Sequence, residues 1–110
     1  MDIKADYSTG EFAKICEVST KTLRYYDKIN LLKPSYVDVN NNRRYYSQSQ
    51  LFDINIIKLL KSYFFSLKEI KKIFIEEDLS DLLKLFDKKK TEIEIEKEKL
   101  NRSLANIDNL

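Results

Sequence analysis

Histidine and tryptophan are absent from these 110 residues, and Gly, Pro, Cys and Met occur once each. Without His the usual general base near neutral pH is missing. One Cys builds neither a disulfide framework nor a cysteine zinc site. One Gly excludes every glycine-rich phosphate loop. Long apolar runs are missing too: the densest, Ile54 to Leu60, is broken by Asn55 and Lys58 and falls short of a membrane span. Met1-Asp2-Ile3-Lys4-Ala5-Asp6 lacks the basic-then-apolar layout of a signal peptide. These absences predict a cytoplasmic protein that has no membrane partner, is not an enzyme and uses no cofactor or metal ion.

What is present describes a folded, polar-surfaced chain: 43% hydrophobic, 12% aromatic and 35% charged. The length allows one small domain plus one further element. A chain this short buries only about 60–70% of its unfolded surface, so a second copy would help it. The net charge of +2 hides an asymmetry. Residues 1–75 carry 13 Lys and Arg against 8 Asp and Glu, whereas residues 76–110 carry 7 against 10. A basic front half suits nucleic acid, and an acidic rear half suits a different partner.

Capping signals punctuate the front half. Ser8-Thr9-Gly10-Glu11, Ser47-Gln48-Ser49-Gln50 and Ser66-Leu67-Lys68-Glu69 each read as a capping box, in which a hydroxyl and a Glu or Gln side chain satisfy free backbone N–H groups. The first predicted helix runs from Thr9 to about Glu17, with Phe12, Ile15 and Cys16 inward and Gly10 read as a close-packing position. Ser19 caps a second, roughly Thr20 to Ile29, with Leu23 and Tyr26 inward and Lys21, Arg24, Tyr25 and Lys28 outward. Two short helices across a tight turn form a helix-turn-helix candidate. Ser35 to Val39 and Arg43 to Tyr46 then read as two strands around the Asn40-Asn41-Asn42 turn, with Pro34 ahead of them. A third helix is predicted from Ser47 to Tyr63, with Leu51, Phe52, Ile54, Ile56, Ile57, Leu59 and Leu60 forming a wide core face. A fourth opens at Ser66, with Leu67, Ile70, Ile73 and Phe74 inward.

From about Asp78 one long helical pattern remains. Leu79, Phe86, Ile93, Leu100 and Ile107 recur every seven residues; Leu83 and Leu104 occupy the companion positions, where Lys90 and Lys97 fill the middle slots. Such a stripe predicts a coiled coil, and the simplest partner is a second copy of the chain. Lys84, Lys88, Lys89 and Lys90 precede Thr91, and Glu92, Glu94, Glu96 and Glu98 follow it. A parallel pair would set like against like; an antiparallel pair centred near Thr91 sets lysine block against glutamate block.

The second helix and the hairpin concentrate the side chains that nucleic acid needs. Lys21, Thr22, Arg24, Tyr25, Tyr26 and Lys28 lie on the first, and Tyr36, Arg43, Arg44, Tyr45 and Tyr46 on the second. Basic groups and Tyr hydroxyls meet phosphates, and Tyr rings pack on sugars and base edges. A helix fits the major groove and an Arg-bearing ribbon follows the neighbouring backbone or minor groove. Tyr26 and one of Tyr45 and Tyr46 are expected to serve the core.

Tyr7-Ser8-Thr9-Gly10-Glu11-Phe12-Ala13-Lys14, Val18-Ser19 and Thr22-Leu23-Arg24-Tyr25-Tyr26-Asp27 resemble the opening of MerR-family transcription regulators. Leu31-Leu32-Lys33-Pro34, Arg44-Tyr45-Tyr46-Ser47 and Phe65-Ser66-Leu67-Lys68-Glu69-Ile70 continue the resemblance in order and spacing over about residues 7–75. Tyr36-Val37-Asp38 is most similar to the multidrug-responsive branch. The resemblance implies a mainly α fold: a winged helix-turn-helix with a small β-hairpin wing over residues 1–76, then a dimerisation helix over 77–110 that forms an antiparallel coiled coil. It implies a homodimer that binds a pseudo-palindromic element in promoter DNA and distorts it, acting on RNA polymerase through the DNA. By position it assigns DNA contacts to Lys21, Thr22, Arg24, Tyr25, Tyr26, Lys28, Tyr36, Arg43, Arg44 and Tyr45. It assigns dimerisation to Leu79, Leu83, Phe86, Ile93, Leu100, Leu104 and Ile107, and a second wing to the loop Ser62 to Ser66 with the start of the fourth helix, whose free backbone N–H groups would meet phosphate.

The chain departs from the family in having Glu17, Asn30, Asn42 and Phe64 where Gly is common. Metal-sensing members carry Cys near the end of the long helix and this chain has none there; Cys16 reads as a small core residue. Drug-responsive members continue into a ligand-binding domain, so the chain reads either as the DNA-binding portion of a longer protein or as a short member. Two other readings are an architectural or excisionase-like DNA-bending protein and a coiled-coil protein-interaction adaptor.

Overall fold

The computed structural model describes residues 6–76 and 78–110. The N-terminal peptide Met1–Ala5 and Glu77, the residue at which the second domain is expected to open, lie outside them. The fold is mainly α. Five helices, α1 (Thr9–Cys16), α2 (Thr20–Lys28), α3 (Ser49–Ser62), α4 (Leu67–Ile75) and α5 (Leu79–Asp108), accompany three short strands, β1 (Asp6–Ser8), β2 (Tyr36–Val37) and β3 (Arg44–Ser47). The chain divides into two compact units, the first ending at Ile70 and the second running from Lys71 to Leu110.

In the first unit the helix starts follow capping chemistry. The Ser8 hydroxyl accepts from the Glu11 amide at 3.3 Å while the Glu11 carboxylate accepts from the Ser8 amide at 3.0 Å. Ser66 and Glu69 make the same reciprocal pair at 2.9 and 3.1 Å. Ser19 accepts from the Thr22 amide at 3.0 Å. The box expected at Ser47 is only half made. The Gln50 side chain accepts from the Ser47 amide at 2.9 Å, but Ser47 belongs to β3 and α3 begins at Ser49 without a side-chain cap.

Three helices end alike. Glu17, Asn30 and Phe64 have φ of 57°, 62° and 68°. In each case the amide of that residue reaches back three residues and the next amide reaches back five: Glu17 and Val18 bond Lys14 and Ala13, Asn30 and Leu31 bond Asp27 and Tyr26, Phe64 and Phe65 bond Lys61 and Leu60. These are Schellman terminations, made without glycine. Leu31 and Phe65, just past two of the turns, are buried and pin the chain onto the helix they have left. Lys58 of α3 donates to the Cys16 carbonyl at 2.8 Å and caps α1 with a cation.

The core joins Phe12, Ala13 and Cys16 of α1, Leu23 and Tyr26 of α2, Leu31, Leu32, Tyr46 of β3, Ile54, Ile57 and Leu60 of α3, Phe65 and Ile70. Tyr46 stacks on Phe12 with ring centres 4.5 Å apart and 13° between planes. Several expected core residues stay outside. Ile15 is 53% exposed, because α1 buries the narrower stripe Phe12–Ala13–Cys16, and Phe52, Leu59 and Phe74 are exposed as well. Gly10 is corrected too: a Cβ there would meet nothing within 4 Å, so close packing does not require it.

The sheet is antiparallel in the order β1-β3-β2. Tyr36 stands opposite Tyr45 and Val37 opposite Arg44, so the hairpin is real but shorter than its alternation suggests. The β1 strand pairs Asp6, Tyr7 and Ser8 with Ser47, Tyr46 and Tyr45, and three residues give no readable alternation. In the second unit Asp78 caps the start of α5, its carboxylate accepting from the Ser80 amide at 2.8 Å. No residue of α5 is buried, and its heptad residues from Leu79 to Ile107 are between 37% and 68% exposed. Among the described residues no helix is long and apolar enough to cross a membrane.

Candidate nucleic-acid interface

The outer face of α2 is built by burying the opposite one. Leu23 and Tyr26 go into the core, which turns Lys21, Arg24, Tyr25 and Lys28 outward. Tyr26, expected both in the core and among the contacts, is only 3% exposed and supports the helix from inside. Thr22 is half-buried, and its hydroxyl lies 2.8 Å from that of Ser19, within the cap of α2.

The wing turn is shaped by Asp38. Its carboxylate accepts from the Asn40 amide at 2.8 Å and the Asn41 amide at 3.4 Å, and its own amide donates to the Arg43 carbonyl at 2.8 Å. Asn42 takes φ 60°, and the Arg43 amide donates to the Asn41 side chain at 2.9 Å. This leaves the Arg43 side chain exposed at the tip. Tyr36 and Tyr45 stack across the hairpin with ring centres 5.0 Å apart. Desolvation, and then the Asp6 carboxylate, hold the Tyr36 phenol above its usual pKa, so it stays a neutral hydrogen-bonding group.

Asp27 ties the wing to the helix, a role that the sequence does not reveal. Its carboxylate, 16% exposed, meets Arg44 Nε at 3.0 Å and Lys33 Nζ at 3.1 Å. Lys33 also donates to the Asp27 carbonyl at 3.3 Å, and the Gln50 side-chain Nε2 donates to the Lys33 carbonyl. Arg44 thus holds α2 and β3 together, and Arg43 is the freer of the two guanidinium groups. The pairing of Asp27 and Arg44 spans 17 residues, and no local pattern encodes it.

The outcome is one surface. Arg24 of α2, Arg43 and Arg44 of the wing, Asn42, and Ser8, Thr9 and Gly10 at the start of α1 line a single open concavity of about 340 Å³. Ser8, Thr9, Gly10 and Asn42 were not among the expected contacts. No pattern in the sequence marks them, because distant residues bring them to this surface. The second-wing segment continues from Ser66 into the start of α4, and the Ser66–Glu69 pair already occupies two of the amides expected to be free for phosphate. Phe64 projects from that segment at 74% exposure.

The profile of the MerR HTH family regulatory protein matches residues 7–77. The "Multidrug-efflux transporter 1 regulator" of Bacillus subtilis is 53% identical over 66 residues, which cover 60% of this chain and 24% of that protein. The chain thus matches about a quarter of that relative's length. The crystal structure of "MtaN, the Bacillus subtilis Multidrug Transporter Activator, N-terminus" superposes with a TM-score of 0.81 at 30% identity, covering 94% of this chain and 95% of that one. An EcmrR chain from a cryo-EM structure of an EcmrR-DNA complex superposes with a TM-score of 0.84 at 31% identity, covering 94% of this chain and 37% of that one. These relatives are named as regulators and activators, not as enzymes. On the family match and the shared fold, the chain belongs to the MerR helix-turn-helix family of regulatory proteins.

Proposed function

We propose that this chain is the DNA-binding part of a transcription regulator that acts as an antiparallel homodimer. The observation that carries the reading is the convergence of Arg24, Arg43 and Arg44 from two elements on one open concavity. Three guanidinium groups on one polar surface suit a phosphate backbone and the base edges beside it. In this reading Lys21, Thr22, Arg24, Tyr25 and Lys28 present α2 to the major groove. Tyr36, Arg43, Arg44 and Tyr45 carry the wing to the neighbouring backbone. The domains are 1–76 for DNA binding and 77–110 for dimerisation.

The exposed stripe Leu79, Leu83, Phe86, Ile93, Leu100, Leu104 and Ile107 needs a partner, and the lysine and glutamate blocks on either side of Thr91 favour a second copy running the other way. Two copies so related bind a pseudo-palindromic promoter element, and the response passes to RNA polymerase through distortion of the DNA. The DNA-bound relative supports this reading. Fluorescence anisotropy on a labelled promoter duplex tests it. Arg24→Ala and Tyr25→Ala should each weaken binding by about 1–3 kcal/mol, with a steep salt dependence in the parent chain. Unchanged affinity in both variants would remove α2 as the reading helix.

A further inference from the structure

In α5 the heptad stripe is apolar at its ends and charged in its middle. Leu79, Phe86, Ile93, Leu100 and Ile107 form one line of seam positions; Leu83, Lys90, Lys97 and Leu104 form the other. Neither Lys90 nor Lys97 makes an ion pair among the described residues. A lysine in a coiled-coil seam costs stability and restricts which pairings survive. Resting on the antiparallel dimer proposed above, we infer that Lys90 and Lys97 fix its register, with Leu83 level with the partner's Leu100.

In an antiparallel coil, residues of one seam line lie level with residues of the other. The inferred register pairs Leu79 with the partner's Leu104 and Leu83 with the partner's Leu100, closing both ends with leucine. Phe86 meets the partner's Lys97, and Lys90 meets the partner's Ile93. Around that waist Lys90 and the partner's Lys97 sit beside Asp87 and the partner's Glu94, two charges of each sign. On the opposite flank Lys89 faces the partner's Glu96.

A slip of one heptad in either direction breaks this balance. One slip sets Glu94 and Glu96 each against its own copy. The other sets Lys89 against Lys89 and Asp87 against Asp87. A parallel pair in register sets Lys90 on Lys90 and Lys97 on Lys97 inside the seam. Like charges so placed, partly out of water, are costly. The inferred register also brings Asp87 beside the partner's Glu94, but there Lys90 and the partner's Lys97 flank them; it alone opposes Lys89 to the partner's Glu96, and each slip leaves Lys90 or Lys97 without an acidic partner across the seam.

Disulfide trapping in the full chain reads the register directly. Cys16, the only cysteine, is buried and is first replaced by Cys16→Ala. Under mild oxidation Leu83→Cys with Leu100→Cys should give a covalent dimer. Leu83→Cys with Ile107→Cys, Leu83→Cys with Ile93→Cys, and Leu83→Cys alone should give little. A trapped dimer in either of the two slipped pairs overturns the register, and one from Leu83→Cys alone overturns the orientation as well. A monomer in sedimentation equilibrium before oxidation overturns the dimer reading itself, so the failures are distinguishable. Lys90→Leu with Lys97→Leu should tighten the dimer about tenfold and raise trapping in the slipped pairs to a level comparable with the main one. An unchanged trapping pattern in that variant would overturn the role of the two lysines.

Discussion

Tyr46 is fully buried against Phe12, and its hydroxyl finds no hydrogen-bond partner among the described residues. A buried donor left unpaired costs about 1–3 kcal/mol. Tyr46→Phe should therefore raise stability by about 1 kcal/mol in thermal or urea unfolding. Burial, and then the Asp27 carboxylate, push the phenol above its ordinary value of 10.0, with Arg44 pulling the other way. The sign follows: the folded chain keeps the phenol neutral, so its contribution is intact below pH 10 and is lost as pH rises through the higher folded value. The parent chain should lose stability above that pH and the Tyr46→Phe variant should lose less. A variant less stable than the parent would mean that the hydroxyl does have a partner. At this scale the sequence was legible where spacing alone decides, as for Leu23 and Tyr26. It was not legible for Ile15 or Gly10, whose surroundings come from distant residues.

Asp27 links three elements, since α2, the segment around Lys33 and β3 all meet at one carboxylate. Pairs with partners this exposed add little stability, about 0.2–1 kcal/mol each. Their value lies in holding the wing against α2. Asp27→Ala should cost about 1 kcal/mol in unfolding yet weaken promoter binding about tenfold, the scale of one displaced contact. Equal small losses in both measurements would make the linkage merely structural. Helix starts were readable because a Ser and a Glu three residues apart carry their own chemistry. The ends were readable only through comparison. Glu17, Asn30, Asn42 and Phe64, which stand where the family commonly has Gly, are the positive-φ residues of the described chain. Buried Leu31 and Phe65 beside two of these turns hold in place a backbone that Gly would adopt freely. The β1 strand escaped notice because its three residues become a strand only when β3 lies beside them.

At the scale of the whole molecule, charge and exposure divide the labour. The basic surface lies in the first unit, and the exposed heptad stripe lies in the second. Reversing Glu92, Glu94, Glu96 and Glu98 to Lys should weaken self-association in sedimentation equilibrium at moderate salt. The cost is the loss of several pairs worth under about 1 kcal/mol each, plus the repulsion that replaces them. An unchanged dimer would remove the charge argument for orientation.

By itself the sequence determined the helices, the inward face of α2 and the heptad stripe of α5, because caps and periodicity act over three to seven residues. It also leaves these 110 residues without His, a Cys cluster or a glycine-rich loop. Only the tertiary structure decided that Arg44 serves Asp27, that β1 completes the sheet, and that the start of α1 shares a concavity with Arg24 and the wing. Those relations join residues far apart in the chain. Their energies depend on burial and distance, and neither exists until the core has closed.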